Sequence, residues 1–261
     1  NNLRSRNPLL RYNCPIRLNR RSPLARGLVW CVFAGGLHRE LVQGGVGSLF
    51  GGAGWVSTPG GATLESYSVN TDGAYWPWSD ELLSIGTEFS ISVTADVDAL
   101  EAYSTIWGIP HKDNAGWASP YLALGFTRDS TSTRARILVA DGSTPRATSS
   151  NTGYLETGSG EIQYTVVRVG ADLFWYKNGV LHSSTTGGGI AGNDVPDWGD
   201  QAPVHLLNRN HLTPDEGVDG RVSASAVWDR ALSAGEVKSL YDPVTRWSLI
   251  EQPRPVVLVA A

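Results

Sequence analysis

The chain has 261 residues and a formal net charge of −4, and 41% of its residues are apolar, which is enough for one large domain or two small ones. Thirty Gly and 14 Pro, with only 18% charged residues, favour strands and turns over helices. No apolar run approaches the roughly 18–20 residues of a membrane-spanning helix, so we expect no membrane partner. The two cysteines are too few for a disulfide framework.

The N-terminal segment is basic, whereas the rest of the chain is acidic. Residues 1–26 hold seven of the 21 basic residues and none of the 25 acidic ones. Prolines interrupt this segment, so we predict an extended arm over residues 1–25 that lies on an acidic surface of its own body or of a partner. The alternative is a solvated tail. Nucleic acid is disfavoured, because the arm lacks Lys and has one aromatic residue. The arginines expected to make the contact are Arg4, Arg6, Arg11, Arg17, Arg20 and Arg21.

About a dozen strands are predicted after the arm. Residues 35–54 are glycine-rich and irregular, and two short strands flank the turn formed by residues 70–73. Cys31 lies in the first strand, and together with Cys14 in the arm it allows one bridge or two free thiols. The strands are expected within residues 27–34, 63–78, 88–98, 103–110, 121–126, 135–141, 162–184, 203–208 and 220–228.

The second half of the chain carries the strongest local signals. Asn178-Gly179 between two strands predicts a type I′ hairpin turn. In the closing strand, alternation places Val222, Ala224, Ala226 and Trp228 on one face, and Ser223 and Ser225 on the other.

A short helix follows the closing strand. Ser233 and Glu236 form a capping box, and Asp242-Pro243 ends the helix. Leu232 can pack on Val237, and the predicted apolar stripe consists of Val237, Leu240 and Tyr241.

This pattern predicts an all-β fold, an antiparallel β-sandwich of the jelly-roll type with one short C-terminal helix. We expect a basic arm over residues 1–25, one sandwich domain over residues 26–247, and an extended arm over residues 248–261. The last arm ends in the apolar run VVLVAA. An uncovered run of this kind is prone to aggregate, so we expect Val256 and Leu258 to dock on a sheet edge or a partner.

Three motifs in order resemble the laminin-G-like, concanavalin A-like jelly-roll superfamily. They are NTDGAYWPWSDELLSIGTEFSISVTADVD, YTVVRVGADLFWYKNGVLHSS and DGRVSASAVWDRALSAGEVKSLY. The resemblance covers about residues 27–241, and the closing strand and helix are its most specific part. The basic segment NRRSPLARGLVW before the first strand and the proline-broken tail resemble versions of the fold encoded by tailed bacteriophages.

The resemblance also suggests chemistry that the sequence supports only in part. Glycosidases on this fold place carboxylates at i, i+2 and i+4 of one strand. Asp96 and Asp98 match two of these positions, but Leu100 occupies the third, so we expect no enzyme activity and no catalytic residue.

Calcium is the cofactor that the resemblance allows, through loop oxygens at a sandwich edge. Asp72 and Asp219 match the family's positions, although Ser223 and Ala224 replace an acidic pair that many relatives carry. The alternative is that both aspartates only form turns. No other cofactor is expected.

Two functions follow. The first is a non-enzymatic virion protein, a decoration or cement protein that binds the major capsid protein of a phage or sister copies through its arms. The second is a carbohydrate-binding module, of a phage tail or secreted, with Trp117 and Trp198 as loop aromatics that stack on sugars. The expected location is the virion surface or, alternatively, the extracellular space.

Overall fold

The structure is a computed structural model that describes residues 17–33, 39–58, 61–68, 71–110, 122–130, 132–141, 144–198, 202–208 and 217–250. These residues form fifteen strands and one α-helix, and the strands build two antiparallel sheets packed as a sandwich. The predicted fold class is therefore confirmed. No helix among the described residues has the length and apolar character needed to cross a membrane.

The larger sheet has eight strands. Its order is β13-β12-β11-β6-β15-β4-β3, and β1 pairs with the second half of β15. Numbered in chain order, these strands are β1 Leu28–Phe33, β3 Gly54–Thr58, β4 Gly61–Ser66, β6 Glu88–Leu100, β11 Ile162–Val169, β12 Asp172–Lys177, β13 Val180–Thr185 and β15 Val218–Trp228.

The smaller sheet has seven strands in the order β10-β9-β8-β7-β14-β5-β2. The strands are β2 Ser48–Phe50, β5 Gly73–Trp76, β7 Thr105–Pro110, β8 Leu122–Arg128, β9 Ala135–Asp141, β10 Thr144–Ser149 and β14 Val204–Leu206. Three strands were missing from the sequence prediction, namely β2, β3 and β10. The two strands that flank residues 70–73 are β4 and β5, and they lie in different sheets, so the chain crosses the sandwich there.

The main core lies between the sheets and is rich in tryptophan. Trp30, Trp76 and Trp107 are fully buried, and their rings pack edge to face, with centroids 5.7 Å apart for Trp30 and Trp76 and 6.3 Å apart for Trp30 and Trp107. The inward residues of β6, which include Phe89, Ile91 and Val93, complete this core. The outward residues of β6 are therefore free to form a different surface.

The helix packs on the outer face of the eight-stranded sheet. Helix α1 spans Ala234–Tyr241, and the predicted capping box is present: the Glu236 N–H donates to Ser233 Oγ, and the Ser233 N–H donates to the Glu236 carboxylate. Val237 and Leu240 are buried in a second apolar cluster with Trp228. The prediction for Tyr241 is wrong, because its side chain is 44% exposed.

The closing strand contains a β-bulge that sequence alternation did not reveal. Val222 pairs with Ala95 and faces the main core, but the register then shifts, and Ala224 pairs with Thr94 on the outer face. The prediction that Val222, Ala224, Ala226 and Trp228 share one face is therefore wrong. Ala226 and Trp228 belong to the outer cluster, whereas Val227 points into the main core. An extra residue at Ser223 reverses the alternation.

The described parts of the two arms lie side by side. Leu18 pairs with Ile250, and the Asn19 N–H donates to Leu249 O at 2.9 Å. Leu24 is 4% exposed, and its carbonyl accepts a 2.7 Å hydrogen bond from Trp228 Nε1. The packed part of the chain thus reaches beyond residues 26–247 at both ends. Cys31 is a buried free thiol, and Cys14 lies outside the described residues.

Candidate functional site: a polar groove on the outer sheet face

A groove of about 300 Å³ lies on the outer face of the eight-stranded sheet, beside α1. We call it the outer-face groove, and its floor is formed by Ser92 and Thr94 of β6 and by Ala224 and Ala226 of β15. The bulge at Ser223 is what turns the two alanines outward. Because the alanine side chains are small, they leave a depression in the sheet surface between α1 and the neighbouring strands.

Gln163 of β11 is the most informative residue in the groove. It is only 6% exposed, yet its Oε1 atom has no hydrogen-bond partner among the described residues. Its backbone is fixed by the hairpin turn, since the Gln163 N–H donates to Asn178 Oδ1 at 2.9 Å and the Asn178 N–H donates to Gln163 O at 2.8 Å. A buried acceptor without a donor costs about 1–3 kcal/mol, so this atom favours an incoming O–H or N–H group.

Carboxylates dominate one end of the groove. Asp96 of β6 lies opposite Arg221 of β15 in the sheet register, and Glu161 lines the groove just before β11. The Ser223 hydroxyl donates to Glu161 Oε1. We call this part the acidic end, defined by Asp96, Glu161 and Arg221.

Arg221 is committed to a carboxylate outside the groove lining. Its Nε donates to Glu65 Oε1 at 2.6 Å, and the Tyr67 hydroxyl donates to the other carboxylate oxygen. The hydrogen bond from Tyr67, followed by those from Arg221, lowers the pKa of Glu65, which is therefore ionised at neutral pH. Arg221 and Glu65 thus form a neutral pair.

Aromatic side chains form part of the rim. Tyr241 of α1, Phe33 of β1 and Trp228 of β15 all line the groove. Tyr241 is 44% exposed, whereas Phe33 is partly buried and Trp228 is fully buried. Polar groups on a floor and an aromatic ring at the edge are the two features by which proteins hold a sugar ring.

The predicted calcium residues lie away from the groove. The Asp72 carboxylate accepts hydrogen bonds from the Gly52 N–H at 2.7 Å, the Tyr67 N–H at 3.1 Å and the Thr71 hydroxyl at 2.7 Å. These bonds hold the loops around the turn together. Asp219 lies at the start of β15, where burial, followed by repulsion from Asp98, raises its pKa. In the described part of the chain, no three His, Cys, Asp or Glu side chains are grouped to hold a metal ion. Calcium at Asp72 and Asp219 stays a prediction.

Among the other predicted site residues, those that the structure describes do not line the groove. Trp198 is partly buried against the main core, and its ring lies 5.4 Å from that of Trp78. Arg17, Arg20 and Arg21 are exposed, and Arg20 Nη2 donates to Val42 O at 3.3 Å. The remaining residues lie outside the described ranges: Trp117, Arg4, Arg6, Arg11, Val256 and Leu258.

Sequence reasoning missed Gln163, Glu161, Arg221 and Tyr241 as site residues. A signal existed, because Ser92, Thr94 and Asp96 alternate with apolar residues in β6 and so form a polar outer row. The pairing of this row with Gln163, Ala224 and Ala226 depends on sheet register, which the sequence did not specify.

Comparisons with known proteins confirm the fold alone. No protein-family model matches the chain, and no curated protein matches it by sequence. A solved domain 4 of AbnA, a GH43 extracellular arabinanase from Geobacillus stearothermophilus in complex with arabinotriose, matches with a TM-score of 0.54 at 14% identity, over 82% of this chain and 98% of that one.

Two other structures match segments of longer chains. Trypanosoma rangeli sialidase matches with a TM-score of 0.55 at 17% identity, over 82% of this chain and 32% of that one. The binding domain of botulinum neurotoxin serotype G matches with a TM-score of 0.58 at 13% identity, over 82% of this chain and 50% of that one. This chain therefore corresponds to about a third of the sialidase and half of the toxin domain.

Proposed function

We propose that this protein is a carbohydrate-binding module that holds a glycan in the outer-face groove without hydrolysing it, outside the cell. The observation that carries the proposal is the buried Oε1 acceptor of Gln163 in the groove lining, which has no hydrogen-bond partner among the described residues. Sugar hydroxyls are donors of the kind that this atom lacks. The exposed ring of Tyr241 at the rim supplies an apolar face for a pyranose or furanose ring.

The structural neighbours support this choice of ligand class. The arabinanase domain was solved with arabinotriose, which is a precedent for a saccharide on this architecture. The absence of turnover is proposed from the strand pattern, because Leu100 stands where a third carboxylate of a glycosidase would follow Asp96 and Asp98. Of the groove carboxylates, Glu161 is already engaged by Ser223.

The test is equilibrium binding of neutral oligosaccharides by calorimetry, together with assay of the incubated sugars for cleavage. Gln163→Ala should weaken binding about twofold to thirteenfold, the factor for one hydrogen bond of about 0.5–1.5 kcal/mol. Tyr241→Ala should weaken it by a similar factor. Tyr103→Ala is the matched control, because this tyrosine is 37% exposed and lies outside the groove.

Two results would contradict the proposal. One is that no oligosaccharide of a broad neutral panel binds to the wild-type protein. The other is that a sugar binds equally well to the wild-type protein and to both groove variants, because the site would then lie elsewhere. If the wild-type protein releases reducing ends from a sugar and Asp96→Asn abolishes this release, the groove is a site of hydrolysis and the proposal of binding alone is wrong.

A second candidate is the phage virion protein of the laminin-G-like type. The pairing of Leu18 with Ile250 favours it, because the described residues at the two ends of the chain lie side by side. The basic first arm and the apolar second arm supply complementary means of attachment. Co-purification of the chain with capsids is its test.

A further inference from the structure

The groove is electrostatically asymmetric, and this bears on which glycans it accepts. Asp96 and Glu161 line it as carboxylates, and Arg221 and Arg246 line it as guanidinium groups. Arg221 is paired with Glu65 at 2.6 Å. Because the Arg221–Glu65 pair is neutral, the remaining charges in the groove lining are the carboxylates of Asp96 and Glu161 and the guanidinium of Arg246.

Further carboxylates lie behind the acidic end. Asp98 lies two residues after Asp96 in β6, at a register shift, and Asp219 at the start of β15 pairs with Ala99. The pKa of Asp219 is raised by burial and then by the negative charges of Asp98, Asp72 and Glu65. Arg221 itself has a raised pKa, caused first by its hydrogen bond to Glu65 and also by Asp98 and Asp96.

The hydrogen-bonding groups have the same asymmetry. Gln163 Oε1 is a buried acceptor without a donor among the described residues, and an ionised carboxylate only accepts hydrogen bonds. A ligand placed between Gln163 Oε1 and Asp96 meets two acceptors, which favour donors on the ligand. A protonated amine brings three donors and a positive charge, whereas a carboxylate or a sulfate brings acceptors and a negative charge.

We propose that the outer-face groove selects saccharides that carry a protonated amine, which is held at the acidic end by Asp96 with Gln163, and that it discriminates against uronic and sulfated sugars. The inference rests on the proposed carbohydrate-binding function and adds the chemical class of the ligand. Arg221 acts here as a positioning residue, because it holds Glu65 and leaves Asp96 available to the amine.

The experiment compares three tetrasaccharides by calorimetry with the full chain, at about pH 6, where the amine is protonated. The probes are a β-1,4-linked glucosamine tetramer, its N-acetylated counterpart and a galacturonic acid tetramer. The amine should bind about fivefold more tightly than the acetylated sugar, which is the order expected for one partly exposed ion pair. Raising the salt concentration should reduce this preference, and the uronate should bind most weakly.

Two carboxamide variants locate the effect. Asp96→Asn should remove the preference for the amine over the acetylated tetramer. Glu88→Gln is the matched control, because Glu88 is an exposed carboxylate on the same strand, eight residues away, or about 26 Å along β6. This control should keep the full preference.

The outcomes separate the two proposals. If the acetylated or the uronic tetramer binds as well as the amine, or if Asp96→Asn keeps the preference, the amine selection is overturned while carbohydrate binding stands. If none of the three sugars binds and the neutral panel also fails, both proposals are overturned.

Discussion

Two residues of one tight turn support both the groove floor and the helix. Asn178 and Gly179 have φ angles of +51° and +75°, the left-handed conformation of a type I′ turn that the Asn-Gly sequence predicts. The Asn178 side chain holds the backbone of Gln163, and α1 packs directly on Gly179. The turn was predictable from two letters of sequence. Its contact with Gln163 and the helix was not, because both partners come from tertiary packing.

We predict that Gly179→Ala destabilises the protein by more than backbone strain alone. A Cβ atom there would lie 3.0 Å from Tyr241 Cβ and 3.2 Å from Lys238 Cα, so the helix would have to shift. Gly187→Ala is the control, because its φ angle is +63° but no atom lies within 4 Å of the added Cβ. Strain in the left-handed region costs roughly 1–2 kcal/mol at either position. Urea unfolding should show the larger loss at Gly179, and equal losses would refute the helix contact.

The closing strand and helix show what local pattern specifies and what it leaves open. The helix start, the capping box and the burial of Val237 follow from the local sequence, and all three are present in the structure. The bulge at Ser223 does not follow from the local sequence, because it depends on pairing with the partner strand. In that strand Ala95 pairs with Val222, which faces the core, and Thr94 pairs with Ala224, which faces outward. That single register shift places Ala224 on the groove floor, and it is the reason why the groove was not predicted.

The cap itself gives a prediction for the helix. Ser233→Ala should lower the free energy of unfolding by about 1 kcal/mol, because the Glu236 N–H loses its acceptor. Ser239→Ala is the control, since Ser239 Oγ only donates to Gly235 O within the helix, and alanine is the better helix former. A Ser233→Ala variant as stable as Ser239→Ala would show that the cap contributes nothing.

Acidic pH should remove part of the stabilisation that the carboxylate of Glu236 gives to the helix cap. The hydrogen bond from Arg230, together with those from Ser233, lowers the pKa of Glu236 from 4.5 to about 2. A carboxyl with a lowered folded-state pKa stabilises the protein above its unfolded-state value, and the stabilisation is lost as pH falls from about 4.5 towards 2. The stability difference between the wild-type protein and Glu236→Gln should therefore be largest at neutral pH and shrink through this interval. A difference that does not change with pH would contradict the assignment.

At the scale of the whole molecule, alternation and turn signals were sufficient for the sandwich, because most strands carry a clear inward row. The site is built from β1, β4, β6, β11, β15, α1 and the segment at Arg246, which are up to about 210 residues apart in the chain. Their juxtaposition depends on strand order and register, and these are set by long-range packing. The division into arms and body shows the same limit, since composition marks residues 1–25 as an arm while Leu24 packs in the outer cluster.

Truncation should therefore separate the packed residues of the arm from the rest of it. Removing residues 1–16 keeps every described contact of the arm, the first of which is the pairing of Leu18 with Ile250. Removing residues 1–25 should cost several kcal/mol, about 2–3 for the buried Leu24 side chain and about 1–3 for the Trp228 N–H that loses the Leu24 carbonyl. Equal stability of the two truncated chains would show that Leu24 adds nothing to the outer cluster.

The shorter truncation then tests the virion candidate in a folded protein. Loss of capsid co-purification at unchanged stability and unchanged sugar binding would assign the basic arm to assembly, whereas full retention would leave the groove as the functional surface.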